Sequence, residues 1–172
     1  EAARGQKIAD WPEAARRRPL FHELVRWRCA QTTALVSEIR HLQRRKAPGT
    51  WLTAAVLGKY PTCVESVGQD WEGWIEQGYL DYVLPMNYTE QREAFGALVG
   101  QQTRARRQAS RLVGGIGVTA SESRLDAAGV IDQVNILRSA GAAGFALFDL
   151  DATLAREILP VLKLGLTAPR AR

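Results

Sequence analysis

Four short loops of this 172-residue chain collect the residue types that do chemistry: GKYPT (Gly58–Thr62), PMNYTE (Pro85–Glu90), GIGVTASES (Gly115–Ser123) and FDLDAT (Phe148–Thr153). They carry four carboxylates, Glu90, Glu122, Asp149 and Asp151. Two carboxyl groups perform glycoside hydrolysis when they flank one bond, about 5 Å apart for retention or about 6.5 to 9.5 Å apart for inversion. One of the pair must stay protonated near neutral pH. Asp149 and Glu90 are the candidates for that catalytic work. Around them, Tyr60 and Tyr88 present flat apolar rings suited to the C–H faces of a sugar, and Asn87, Thr119 and Ser121 suit its hydroxyls. With Lys59, Glu122 and Asp151 they make up a candidate substrate-binding set. Each residue also has a plainer use. The tyrosines pack under loops, Asn87 caps a turn, Glu122 sits in a first helical turn, and Asp151 caps the helix that begins at Ala152.

Other chemistries find little support. Gly114, Gly115 and Gly117 do not form a GxGxxG leading into a helix, and no GK[ST] occurs, so no nucleotide site is expected. Glycines inside a strand serve close packing or the approach of a ligand. His22 and His41 both fall in the first helical region, and Cys29 and Cys63 are far apart without a CxxC. Neither a metal nor a cofactor is therefore expected. The charge balance, 23 basic minus 18 acidic residues, is +5. The basic clusters Arg16–Arg18, Arg44–Lys46 and Arg104–Arg107 stand apart and lack interleaved aromatics, which argues against nucleic acid. A basic α/β module remains the alternative, and it would require those arginines on one contiguous face. No apolar run approaches the ~20 residues that cross a bilayer. The chain opens on Glu1 without a basic-then-apolar leader, so an upstream segment is expected and the compartment stays open, export included.

The pattern between the loops places them. Leu24, Trp27, Leu35, Val36, Ile39 and Leu42 predict an amphipathic helix over 20–46, stopped by Pro48 and Gly49. The runs WLTAAVL (Trp51–Leu57), YLDYVLPM (Tyr79–Met86), RLVGGIGV (Arg111–Val118) and GFALFDL (Gly144–Leu150) predict four strands, the second terminated near Pro85. Helices are expected over 70–77 after a loop at 66–69, over 89–111, over 127–140 and over 152–162. Strict alternation implies an α/β fold with parallel strands and right-handed crossovers. Nearly continuous hydrophobicity implies strands buried on both faces. The chemistry-bearing loops all follow the carboxyl ends of strands, where ligands bind in such folds. A chain of 172 residues makes one domain but falls below the ~250 residues of a complete eight-stranded α/β barrel. Either the sheet is open, with two exposed edges, or these units are half of a barrel.

The run VGQDWEGWIEQGYLDYVLPMNYTE (Val67–Glu90) resembles the glycosyl-hydrolase-like family 10 proteins, as do WRCAQTTALVSEIR (Trp27–Arg40), GIGVTASES (Gly115–Ser123) and GFALFDLDATL (Gly144–Leu154). The resemblance implies a (β/α)8 barrel distantly related to amylase-like glycosidases, acting on or binding a polysaccharide. It also implies a register: residues 1–19 form an extended lead-in, and 20–172 run from the fourth helix of the barrel through the eighth, the C-terminal half. The N-terminal half, with a strand ending in a D-Y-I-R-Y-P-like motif whose aspartate leads as catalytic carboxylate, would then lie upstream. Asn87, Tyr88 and Asp149 match cleft positions of the family. The first strand here ends in Gly58, Lys59 and Tyr60, without the glutamate that amylase-like enzymes use there as acid. A non-catalytic carbohydrate-binding or scaffold barrel is the companion reading.

Overall fold

The structure is a computed structural model that describes Gly5 and residues 8–167. A 3-10 turn at Glu13–Arg16 precedes a long helix, α1 (Leu20–Lys46). Four strands follow, β1 (Thr53–Leu57), β2 (Tyr82–Met86), β3 (Val113–Gly117) and β4 (Gly144–Phe148), separated by α2 (Thr62–Val67), α3 (Trp71–Glu76), α4 (Arg92–Gln102), α5 (Arg106–Ala109) and α6 (Ala127–Ser139). A π-helical segment (Leu154–Ile158) and α7 (Leu159–Lys163) close the described chain. Of the lead-in expected to be extended over 1–19, residues 1–4, 6 and 7 lie outside the described residues, as do 168–172 at the other end, and the described part is turned rather than extended, with its 3-10 helix at Glu13–Arg16.

The strands form one parallel sheet in chain order, β1-β2-β3-β4, which is the α/β arrangement expected of alternating elements and is consistent with a partial barrel of the (β/α)8 type. β1 pairs with β2 along its whole length, from Thr53↔Tyr82 to Leu57↔Met86. The β2–β3 ladder is interrupted. Val83 N donates to Arg111 O and Asn87 N to Gly115 O, so the donor between them would come from residue 85, and Pro85 has no N–H. Gly115 meets this seam because a Cβ there would sit 2.6 Å from the Pro85 carbonyl oxygen.

Two apolar clusters lie beneath the helices. Val56, Trp71, Trp74, Ile75, Leu80 and Val83 form one. Phe95, Ile116, Val130, Val134, Leu137 and Ile158, among others, form the second. Gly114 belongs to the second seam, since a side chain there would collide with Leu137 of α6. The opposite face of the sheet, where Leu57, Met86, Gly115 and Ala146 share one side by register, carries no helix among the described residues. Sequence pattern had implied burial on both faces. Instead Leu57 is 38% and Phe148 49% exposed, with Trp51 and Leu150 at the strand ends more open still. The hydrophobicity that reads as a doubly covered strand is here a covered face and an uncovered one.

Three local expectations are corrected. The loop expected at 66–69 begins as helix α2, which ends where Gly68 turns left-handed at φ 74°, a conformation glycine adopts freely. The helix expected over 89–111 is two helices broken at Thr103–Ala105. The final helix contains a π-helical turn just ahead of Pro160, whose missing N–H removes an α-helical bond at that point. No helix of the described residues is long and apolar enough to cross a membrane.

Candidate functional site

All the sequence-predicted site residues follow the C-terminal ends of the four strands, and the structure sorts them into three groups. Tyr88 is central to the first. Its ring lies over Gly117, where a Cβ would come within 2.9 Å of Tyr88 Cγ, so β3 must end in glycine for the ring to pass. Beyond it the ring stacks on Phe148 of β4, with centroids 5.4 Å apart and planes 9° from parallel. The next residue, Asp149, is exposed, and its Oδ1 accepts a hydrogen bond from the Thr119 hydroxyl at 2.7 Å. Burial pushes the Tyr88 hydroxyl above its ordinary range, with the charge of Glu122 adding to the effect. Lys59 and Tyr88 together line a cleft of about 250 Å³ beside β1, with Leu57 and Met86.

Glu90 and Glu122 form the second group. They line one open cleft of about 370 Å³ with Thr89, Gln91, Ser121, Ser123 and Arg124. Glu90 Oε1 accepts the Arg124 backbone N–H at 2.8 Å, which ties the loop after β2 to the loop after β3. The Ser121 hydroxyl donates to Glu122 Oε2 at 2.7 Å. Ser123 is buried and donates to the Gly117 carbonyl at 2.6 Å, fixing the loop from below.

The third group supports the face rather than lining it. Asn87 is fully buried. Its Nδ2 donates to Gln102 Oε1 at 2.9 Å, and Gln102 Nε2 donates both to Asn87 Oδ1 at 2.8 Å and to the Gly58 carbonyl at 2.7 Å. A Cβ on Gly58 would collide with the Asn87 amide. The Tyr60 hydroxyl donates to Asp70 Oδ1 at 2.9 Å, and its ring packs edge-on to Trp71. Burial, and then Asp70, pushes that hydroxyl well above the ordinary tyrosine range. Tyr60 therefore faces an outer cleft shared with Glu72 and Arg104, where burial raises the Glu72 carboxyl against an opposing hydrogen bond from Gln108. Asp151 accepts the Leu154 N–H at 2.8 Å, the helix-capping use open to it from sequence.

Sequence reasoning singled out neither Phe148 nor Gln102. Phe148 reads as the end of an apolar strand, and only its register opposite Gly117 brings it to the surface beside Tyr88. Gln102 is one amide in a polar helix, and nothing local marks it as the partner of Asn87. The described residues contain no cluster of three or more His, Cys, Asp or Glu arranged to hold a metal ion.

The sequence model of a family described as "Glycosyl hydrolase-like 10" matches residues 6–119. The match takes in Lys59, Tyr60, Asn87, Tyr88, Glu90 and Thr119, and it ends before Ser121, Glu122, Asp149 and Asp151. No curated protein matches the chain.

Proposed function

For a chain that belongs to the glycosyl hydrolase-like 10 family, with the carbohydrate-related function this supports in general, we propose that the C-terminal face of the sheet takes a polysaccharide or oligosaccharide. The observation that carries this reading is the convergence of the Tyr88–Phe148 ring pair with the exposed Asp149 carboxylate and its Thr119 partner. Rings receive the C–H faces of a sugar while carboxylate and hydroxyl oxygens receive its hydroxyls. Asp149 or Glu90 would be the second carboxylate acting on the glycosidic bond, opposite a leading carboxylate from the N-terminal half of the barrel. The barrel that the four strand-helix units imply would be completed by a further four units, an N-terminal half bringing its own carboxylate to the same face.

A binding role without hydrolysis is the companion reading, in which Glu90 serves the loops alone. Glu90 Oε1 is engaged by the Arg124 backbone, a loop-tying use that leaves proton transfer to its other oxygen. Nucleic acid fits less well, because Arg16 and Arg44 lie near opposite ends of α1, whose 27 residues extend about 40 Å. The test is a polysaccharide-binding and hydrolysis screen of the chain beside Asp149→Asn and Tyr88→Ala. Both substitutions are expected to weaken glycan binding or turnover about tenfold or more while the far-UV circular dichroism is unchanged. Full retention of binding and turnover in both variants would contradict the placement of the cleft.

A further inference from the structure

Phe148 closes β4 on the uncovered side of the sheet with about half of its surface open. Two nearly parallel rings with centroids 5.4 Å apart are offset rather than eclipsed. Each therefore leaves part of a face outside the stack, and the pair makes a step. The step is held from beneath: Gly117 pairs in register with Phe148 and gives way to the Tyr88 ring, while Val118 N donates to the Phe148 carbonyl at 2.6 Å. Thr119 and Asp149 stand at its edge, joined at 2.7 Å. The charge around the step runs against that of the chain. The whole protein is +5, yet the loops at this face bring Glu90, Glu122, Asp149 and Asp151 against Lys59 and Arg124. A field of that sign repels anionic ligands and leaves neutral ones unaffected.

Resting on the carbohydrate reading above, we infer that Phe148 and Tyr88 together form the stacking step for one uncharged pyranose ring, with Asp149 and Thr119 taking hydroxyls at its edge, and that the face discriminates against uronic-acid glycans. Phe148 is then a substrate-positioning residue that acts through its ring.

The inference is tested by calorimetric titration of the chain with cellohexaose, chitohexaose and hexagalacturonate, alongside Phe148→Leu, Phe148→Ala and Phe148→Tyr. Leucine keeps the apolar volume at a half-exposed position and removes the ring, and tyrosine restores the ring. The expected result is binding of at least one of the two neutral sugars, weakened about tenfold, or about 1.4 kcal/mol, in Phe148→Leu and Phe148→Ala and kept within about twofold in Phe148→Tyr. Hexagalacturonate is expected to bind at least about tenfold more weakly than the neutral sugar. Unchanged neutral-sugar affinity in the folded leucine or alanine variant would overturn the role of Phe148 and leave the carbohydrate reading standing. Hexagalacturonate binding as tight as that of the neutral sugars would overturn the charge selectivity. Failure of the unaltered chain to bind any of the three would overturn the carbohydrate reading and this inference with it.

Discussion

Asn87 and Gln102 illustrate how a residue at a strand end serves the site without touching what the site binds. Their side chains exchange two hydrogen bonds, and Gln102 makes a third to the Gly58 carbonyl, so the ends of β1 and β2 are held to α4 by one buried pair. Removing one partner leaves buried polar groups unsatisfied, each at about 1 to 3 kcal/mol. Gln102→Ala is therefore expected to lower unfolding stability by about 2 to 4 kcal/mol in urea titration, and a loss below about 0.5 kcal/mol would show that the pair does not hold the strand ends. From sequence, Asn87 is expected to meet a sugar hydroxyl because it follows a strand, but its side chain is buried against Gln102 instead. That partner was not legible, since the pairing joins residues fifteen apart and depends on how α4 crosses the sheet. Of the two uses expected for the glycines of β3, packing or the approach of a ligand, all three serve packing: Gly114 receives Leu137, Gly115 receives Pro85, and Gly117 receives Tyr88.

Between elements, an ion pair joins the start of the sheet to α1. Arg40 donates to both carboxylate oxygens of Asp81, at 2.7 and 2.8 Å, and Asp81 also accepts the Leu52 N–H at 2.7 Å. The hydrogen bond from Arg40 outweighs partial burial and holds the Asp81 carboxyl below its ordinary value. A carboxyl depressed in the folded state stabilises the fold above the unfolded aspartate value of about 3.9 and loses that contribution as pH falls through the lower folded value. Asp81→Asn is expected to remove about 1 to 2 kcal/mol at neutral pH and to flatten the fall in stability below about pH 4. Denaturant titrations from pH 7 to pH 2 would show it, and parallel acid limbs for the two proteins would contradict it. The elements themselves were largely legible, because periodicity and Gly or Pro punctuation mark all four strands and most helices. What escaped was set by tertiary contact. The short α2 ends at Gly68, where a Cβ would press on the backbone of Arg28 and Cys29 in α1, and α4 stops where Gln102 turns inward to Asn87.

Across the whole molecule, two apolar surfaces lack a cover among the described residues. One is the open face of the sheet with its unpaired edges, β1 and β4. The other is a stripe of α1, where Trp27, Leu35, Ile39 and Leu42 are each 42% exposed or more although Val36 packs into the core beneath. Hydrophobic pattern announced both surfaces as buried, and it identifies apolar surface without saying which chain covers it. Unpaired edges and contiguous apolar surface favour association, so the chain by itself is expected to self-associate with rising concentration in size-exclusion chromatography with light scattering, and a monodisperse monomer across that range would contradict this. In the proposed function the carbohydrate meets the C-terminal ends of the strands. Amide chemical-shift mapping by NMR during titration with chitohexaose or cellohexaose tests it most directly. Shifts are expected to concentrate at residues 87–90, 117–122 and 148–151, and shifts concentrated instead at the opposite strand ends, near 50–53, 79–81 and 142–144, would place the carbohydrate on the other face.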